Sequence, residues 1–178
     1  MASLAEIGRI RNVKVYAHWS VLGISAFILL NAIKRPMISL IGSLCYWGVI
    51  LLHETGHLIA AQRLGCRVHS IELYPIWGIT RFQIPWSRFD HCVIAWGGVL
   101  AQAVIAVPLA AFIAIFGYTR IEAVNVVLAL LGGISLLVTI FNLLPFPPLD
   151  GAMAWRIIPA YIERRRSRVK PMKANFRP

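Results

Sequence analysis

Acidic side chains are scarce in this chain, with seven Asp and Glu against 18 Lys and Arg in 178 residues. Seven carboxylates cannot balance the basic groups, and 58% of the residues are hydrophobic. That composition excludes an ordinary water-soluble domain. Cysteine is also rare. Cys45, Cys66 and Cys92 show neither a pairing pattern nor metal-ligand spacing, which excludes a disulfide framework and a cysteine-built zinc site. They read as small apolar fillers. No internal repeat and no low-complexity linker is present, and one membrane-embedded domain is expected.

What the chain has instead is long apolar runs. Four stand out, at about Ala17 to Ile33, Met37 to Ala61, Cys92 to Phe116 and Ile121 to Phe141. Each approaches the ~20 residues that a spanning helix needs. The first follows basic residues, as a signal peptide would. It ends in Asn-Ala-Ile-Lys-Arg without a small-x-small cleavage pattern, and so reads as an uncleaved span. The expected fold is an all-α polytopic membrane protein of about four transmembrane helices.

The net charge of +11 is placed, not spread. With four spans, one side of the membrane receives Arg9, Arg11 and Lys14, the four arginines between residues 63 and 88, and the eight basic residues from Arg156 onward. Only Lys34, Arg35 and Arg120 remain for the other side. This asymmetry predicts both termini in the cytosol of a multi-pass protein, in the cell membrane. It argues against nucleic acid as a partner, since the charge tracks span ends. The expected division is a membrane domain over residues 1–163 and a basic cytosolic tail over 164–178, which could also attract anionic lipid.

Between the second and third spans the texture changes. Residues 68–73 and 78–84 alternate in polarity, with Pro75 between them and Gly78 opening the second, which predicts a short membrane-associated β-hairpin. It is either a plain connecting loop or a sheet edge able to hold an extended peptide. Gly97-Gly98 and Gly132-Gly133 mark close helix packing.

The chemistry is concentrated in His53-Glu54-Thr55-Gly56-His57, inside the second apolar run. Histidines four apart share one helix face, so their ring nitrogens can bind one metal ion. The glutamate between them can take a proton from a metal-bound water. Ionisable groups in hydrocarbon are costly, which makes three together a functional signal. A catalytic zinc site needs one more protein ligand. Of the remaining carboxylates, Glu6, Glu72, Asp90, Glu122 and Glu163 lie in loops, in the hairpin, at span ends or in the tail. Asp150 differs. It follows Asn142-Leu-Leu-Pro-Phe-Pro-Pro-Leu, where three prolines in four positions forbid a helix. Irregular backbone at membrane depth is tolerated only where it lines protein or a cavity. To reach the depth of His53, the fourth span must be recessed or tilted, or the proline segment must fold back. A short helix from Ala152 to about Ile158 is expected next, ending ahead of Pro159.

His53-Glu54-x-x-His57 in one span, with Asn142-x-x-Pro145-x-Pro147-x-Leu149-Asp150-Gly151 after a later one, resembles the site-2 protease family of intramembrane zinc metalloproteases. The resemblance implies one zinc held by His53, His57 and Asp150, with Glu54 as catalytic base and Asn142 holding the substrate or its oxyanion. It implies single-span membrane proteins in the lipid bilayer as substrates, cut by regulated intramembrane proteolysis. The segment Trp96 to Gln102 is weakly similar. Its Val99 and Gln102 depart from the family's Gly-Gly-Pro-Leu-Ala-Asn pattern, so nothing beyond packing is expected of it.

Other readings fare worse. A metal transporter would show a second set of buried ligands or a repeat. A catalytically inactive metal-binding scaffold has no use for Glu54. A soluble-type zincin on an anchor does not fit the apolar flanks of the histidine pair. His18, His69 and His91 read as interfacial or surface histidines, and nothing in the sequence indicates an oligomeric state.

Overall fold

The computed structural model describes residues 4–31 and 34–169. It is mostly helical, with one small sheet at one end of the helices. Among the described residues, three helices are long and apolar enough to cross a membrane. These are α2 (Pro36–Arg63), α3 (Arg88–Phe116) and a continuous third helix over Glu122–Asn142. The third is built from α4 (Glu122–Val127), a π-helical segment (Leu128–Ile134) and α5 (Ser135–Asn142).

The first apolar run behaves differently from its expectation. Its leading residues belong to a strand, and the helix α1 covers only Ser20–Asn31. Twelve residues rise about 18 Å, short of a ~30 Å hydrocarbon core. Residues 32 and 33 of that expected span lie outside the described residues.

The sheet is larger than the expected hairpin. Strands β1 (Leu4–Ile10), β2 (Val13–His18), β3 (Val68–Leu73) and β4 (Gly78–Phe82) lie in the order β1-β2-β3-β4. β1 and β2 form an antiparallel hairpin whose turn, Arg11-Asn12, has both residues at positive φ. β2 and β3 run parallel, with α1 and α2 as the crossover. β3 and β4 form the predicted hairpin. The apolar face of the sheet closes on α2, where Val13, Val15, Ile71 and Leu73 pack with Leu58 as one buried cluster. Glu72 is a buried exception. Arg81 Nη2 donates to its Oε2 at 3.0 Å, and the paired guanidinium holds its carboxyl below the usual carboxylate range.

Helix packing follows the small residues. A Cβ on Gly56 would sit 2.3 Å from the Gly97 carbonyl oxygen, and one on Gly97 would sit 2.7 Å from Ala60 Cβ. α2 and α3 therefore touch backbone to backbone at this point. Cys45, Cys66 and Cys92 are all buried and unpaired, as fillers would be.

After α5 the proline segment folds back. Gly151 lies so close to the end of α5 that a Cβ there would meet the carbonyls of Leu143 and Leu144 within 2.4 Å. The short α6 (Gly151–Ala154) follows, tied to α3 by Trp96 Nε1 donating to Ala154 O at 3.0 Å. α7 then runs over Ile157–Val169, straight through Pro159. The expected stop at that proline fails because Pro159 sits in the first turn, where its missing N–H has no intrahelical partner. The expected boundary at residue 163 falls inside this helix.

Candidate metal centre

His53 and His57 lie one turn apart on α2, ten and six residues before its end, and Asp150 arrives from the folded-back segment. Their facing atoms form a small triangle. His53 Nε2 is 3.1 Å from His57 Nε2. Asp150 Oδ2 is 2.9 Å from His53 Nε2 and 3.3 Å from His57 Nε2. Among the described residues, no other group of His, Cys, Asp and Glu converges in this way.

The partners on the far side of each ring define what the triangle is. His57 Nδ1 lies 2.8 Å from the Ile94 carbonyl oxygen, which can only accept, so Nδ1 carries the proton. His53 Nδ1 lies 3.1 Å from Gln102 Oε1, which imposes the same tautomer. Deprotonated at Nε2, as metal ligands must be, both rings would present lone pairs beside a carboxylate oxygen. Asp150 Oδ2 is buried and faces no donor other than these two Nε2 atoms. Three acceptors facing one another at this range repel unless a cation lies among them. Ligands on a tetrahedral zinc at 2.0–2.1 Å are about 3.3–3.4 Å apart, close to the edges seen here. The donor set therefore fits a small divalent cation of zinc's type.

Two glycines shape the walls. A Cβ on Gly98 would be 2.4 Å from His57 Nε2, so α3 presents bare backbone to the metal-facing nitrogen. A Cβ on Gly78 would be 2.4 Å from Glu54 Cγ, so β4 presses on the glutamate in the same manner. Glu54 is buried, and Thr80 Oγ1 of β4 donates to its Oε2 at 2.7 Å. Gly98→Ala should displace the His57 ring and weaken zinc binding about tenfold or more, the scale of losing an outer-shell partner. Zinc titration of the purified variant checks this, and unaltered affinity would mean that α3 can retreat.

Asn142 is the last residue of α5. It is half-buried, and its side chain makes no hydrogen bond to the described residues. The structure thus brings His53, His57 and Asp150 together and leaves the Asn142 amide unengaged. Glu54 faces β4. Sequence reasoning missed Gln102, Gly98, Gly78 and Thr80. Gln102 is completely buried and orients His53, although its departure from the family pattern had suggested no role beyond packing. A buried amide within an apolar helix was the available signal.

Comparisons with known proteins agree on one group. The family model described as "Peptidase family M50" matches residues 118–176. A Mycobacterium tuberculosis protein named "Putative zinc metalloprotease Rip3" is 29% identical over 184 aligned positions, covering 93% of this chain and 45% of the relative. "Zinc metalloprotease MJ0392" of Methanocaldococcus jannaschii is 27% identical, covering 76% of this chain and 41% of that protein. The chain thus spans under half the length of these curated relatives. Among solved structures, the "Site-2 Protease from Methanocaldococcus jannaschii" superposes with a TM-score of 0.70 at 21% identity, over 89% of this chain and 72% of that one. At that identity the likeness concerns the fold. With its three apolar helices, the chain is a membrane protein.

Proposed function

We infer that the chain is a member of the site-2 protease family and that it hydrolyses peptide bonds within or near the membrane-spanning segments of other membrane proteins. The observation that carries this reading is the triangle of His53, His57 and Asp150, built on an apolar helix with Glu54 beside it. We assign one zinc per chain to these three ligands. Bound there, zinc acidifies a water and polarises a carbonyl.

The chain's own residues supply the remaining parts. Gln102 and the Ile94 carbonyl fix the ring tautomers. Glu54 is the base that accepts the water's proton and returns one to the leaving amine. Thr80 holds the Glu54 carboxylate in place from β4. In the sheet order β4 is an edge strand, so its open side offers main-chain hydrogen bonds to an extended peptide next to the base. Asn142, with its amide unengaged, is the candidate for holding the substrate or its oxyanion.

A substrate held this way cannot remain helical at the scissile bond. Purified protein in bilayers should cleave a single-span substrate faster when Gly or Asn is placed near that bond, and more slowly with Leu, because Gly costs ~1 kcal/mol of helix stability relative to Ala. Cleavage that ignores helix propensity yet collapses on a change of one side-chain class would replace this reading with a specificity pocket.

For topology we propose four crossings, the first made where the short α1 lies in a locally thinned bilayer, with both termini in the cytosol and residence in the cell membrane. The basic residues support this, since 15 of 18 fall on one side in that arrangement. Single cysteines introduced near Arg9 and near Lys173 should resist an impermeant thiol reagent in intact cells. Labelling of either would refute the arrangement.

A further inference from the structure

The N-terminus of α3 and the segment from α6 to α7 border an open cavity of about 500 Å³ that the proposed chemistry does not use. Arg88, Arg156 and Arg166 line it, over a floor that includes Met153, Pro159 and Ala160. Neighbouring cations are already engaged. Arg164 pairs with Asp90 at 3.0 Å and stacks on Phe89, and Arg165 lies over the Tyr161 ring. None of the ion pairs among the described residues involves Arg88, Arg156 or Arg166. Glu163 is the one carboxylate in the wall, against three guanidinium groups.

The outer surface of the same segment is apolar where water would disfavour it. Trp155, Ile158, Tyr161 and Ile162 are exposed, Ile158 by 69%. On α7, Ile158 and Tyr161 lie off the cavity, whereas residues 159, 160, 162, 163 and 166 line it, and Trp155 and Arg156 precede the helix. A segment that exposes Trp155, Ile158 and Tyr161 beside arginines suits the plane of the bilayer interface. Guanidinium groups suit phosphate oxygens in number and geometry. A free phosphate would make no use of the apolar side, whereas a phospholipid meets both features.

We propose that the cavity bounded by Arg88, Arg156 and Arg166 binds the phosphate headgroup of an anionic membrane phospholipid, with α7 lying in the interface. This reading needs the membrane but not proteolysis, so its test is a binding measurement. The full chain is placed in nanodiscs of equimolar phosphatidylglycerol and phosphatidylcholine, released in the mass spectrometer, and its retained lipid identified. The wild type should retain phosphatidylglycerol selectively. Each Arg→Gln change at 88, 156 or 166 should weaken retention about fivefold, the scale of one basic residue at an anionic surface. Arg165→Gln, which removes a cation outside the cavity, should retain the lipid as the wild type does. If the variant at 88 or 166 does not fold, Arg156→Gln, at an exposed position, is read alone. Equal retention of both lipids, or full retention in the Arg156 variant, overturns the proposal. So does displacement of the lipid by millimolar inorganic phosphate, which would make the cavity a free-anion site.

Discussion

Glu54→Gln should leave a folded, zinc-loaded protein whose proteolytic turnover falls by at least ~10²–10⁴-fold, the usual contribution of a positioned general base. Glutamine keeps the size and the side-chain oxygen, so the Thr80 hydroxyl can still donate to position 54 and Gly78 still has room. What disappears is the ability to take a proton. Because His53, His57 and Asp150 are untouched, metal content should match the wild type. Turnover and zinc are measured on one preparation. Substantial residual cleavage would show that another group is the base, while loss of zinc would show that Glu54 shapes the ligand triangle.

Asp150→Ala should have the opposite signature, losing the metal first and the activity as a result. Removing an outer-shell partner costs 10–100-fold in metal affinity, and loss of a direct ligand should exceed that. The two histidines would remain on α2, oriented by Gln102 and Ile94, with no anionic donor. The variant should remain folded, since the backbone around Gly151 is held by contacts that do not involve the carboxylate, such as Trp155 Nε1 donating to Leu143 O at 2.6 Å. Metal analysis after exchange against a mild chelator decides the matter. Retention of zinc at unaltered affinity would remove Asp150 from the site.

The elements that could be read from the sequence are those with strong local patterns. The i, i+4 histidine pair lies in an apolar run that became α2. Alternating residues 68–73 and 78–82 became β3 and β4, and the proline cluster marked the break that carries Asp150. β1 and β2 were hidden for two reasons. Their turn, Arg11-Asn12, lacks the glycine that usually announces a two-residue hairpin. Their basic residues were also accounted for by topology. Residues 17 and 18 of the first apolar run pair in that sheet, which left α1 shorter than expected. Gln102 was obscure because its role depends on α3 meeting α2 at a bare Gly56–Gly97 contact, a tertiary fact that no local pattern encodes.

Lys14 pairs with Ser70 across the parallel seam, yet α1 and all of α2 separate them along the chain. On a ribosome adding ~5–20 residues per second, roughly 3–12 s pass between the emergence of β2 and that of β4. Until then Glu54 has neither Gly78 against it nor the Thr80 hydroxyl. Asp150 emerges later still, so a chain halted before residue 150 carries two histidines and no third ligand. The proposed ligand set is thus completed only after the last apolar helix, Glu122–Asn142, has been synthesised.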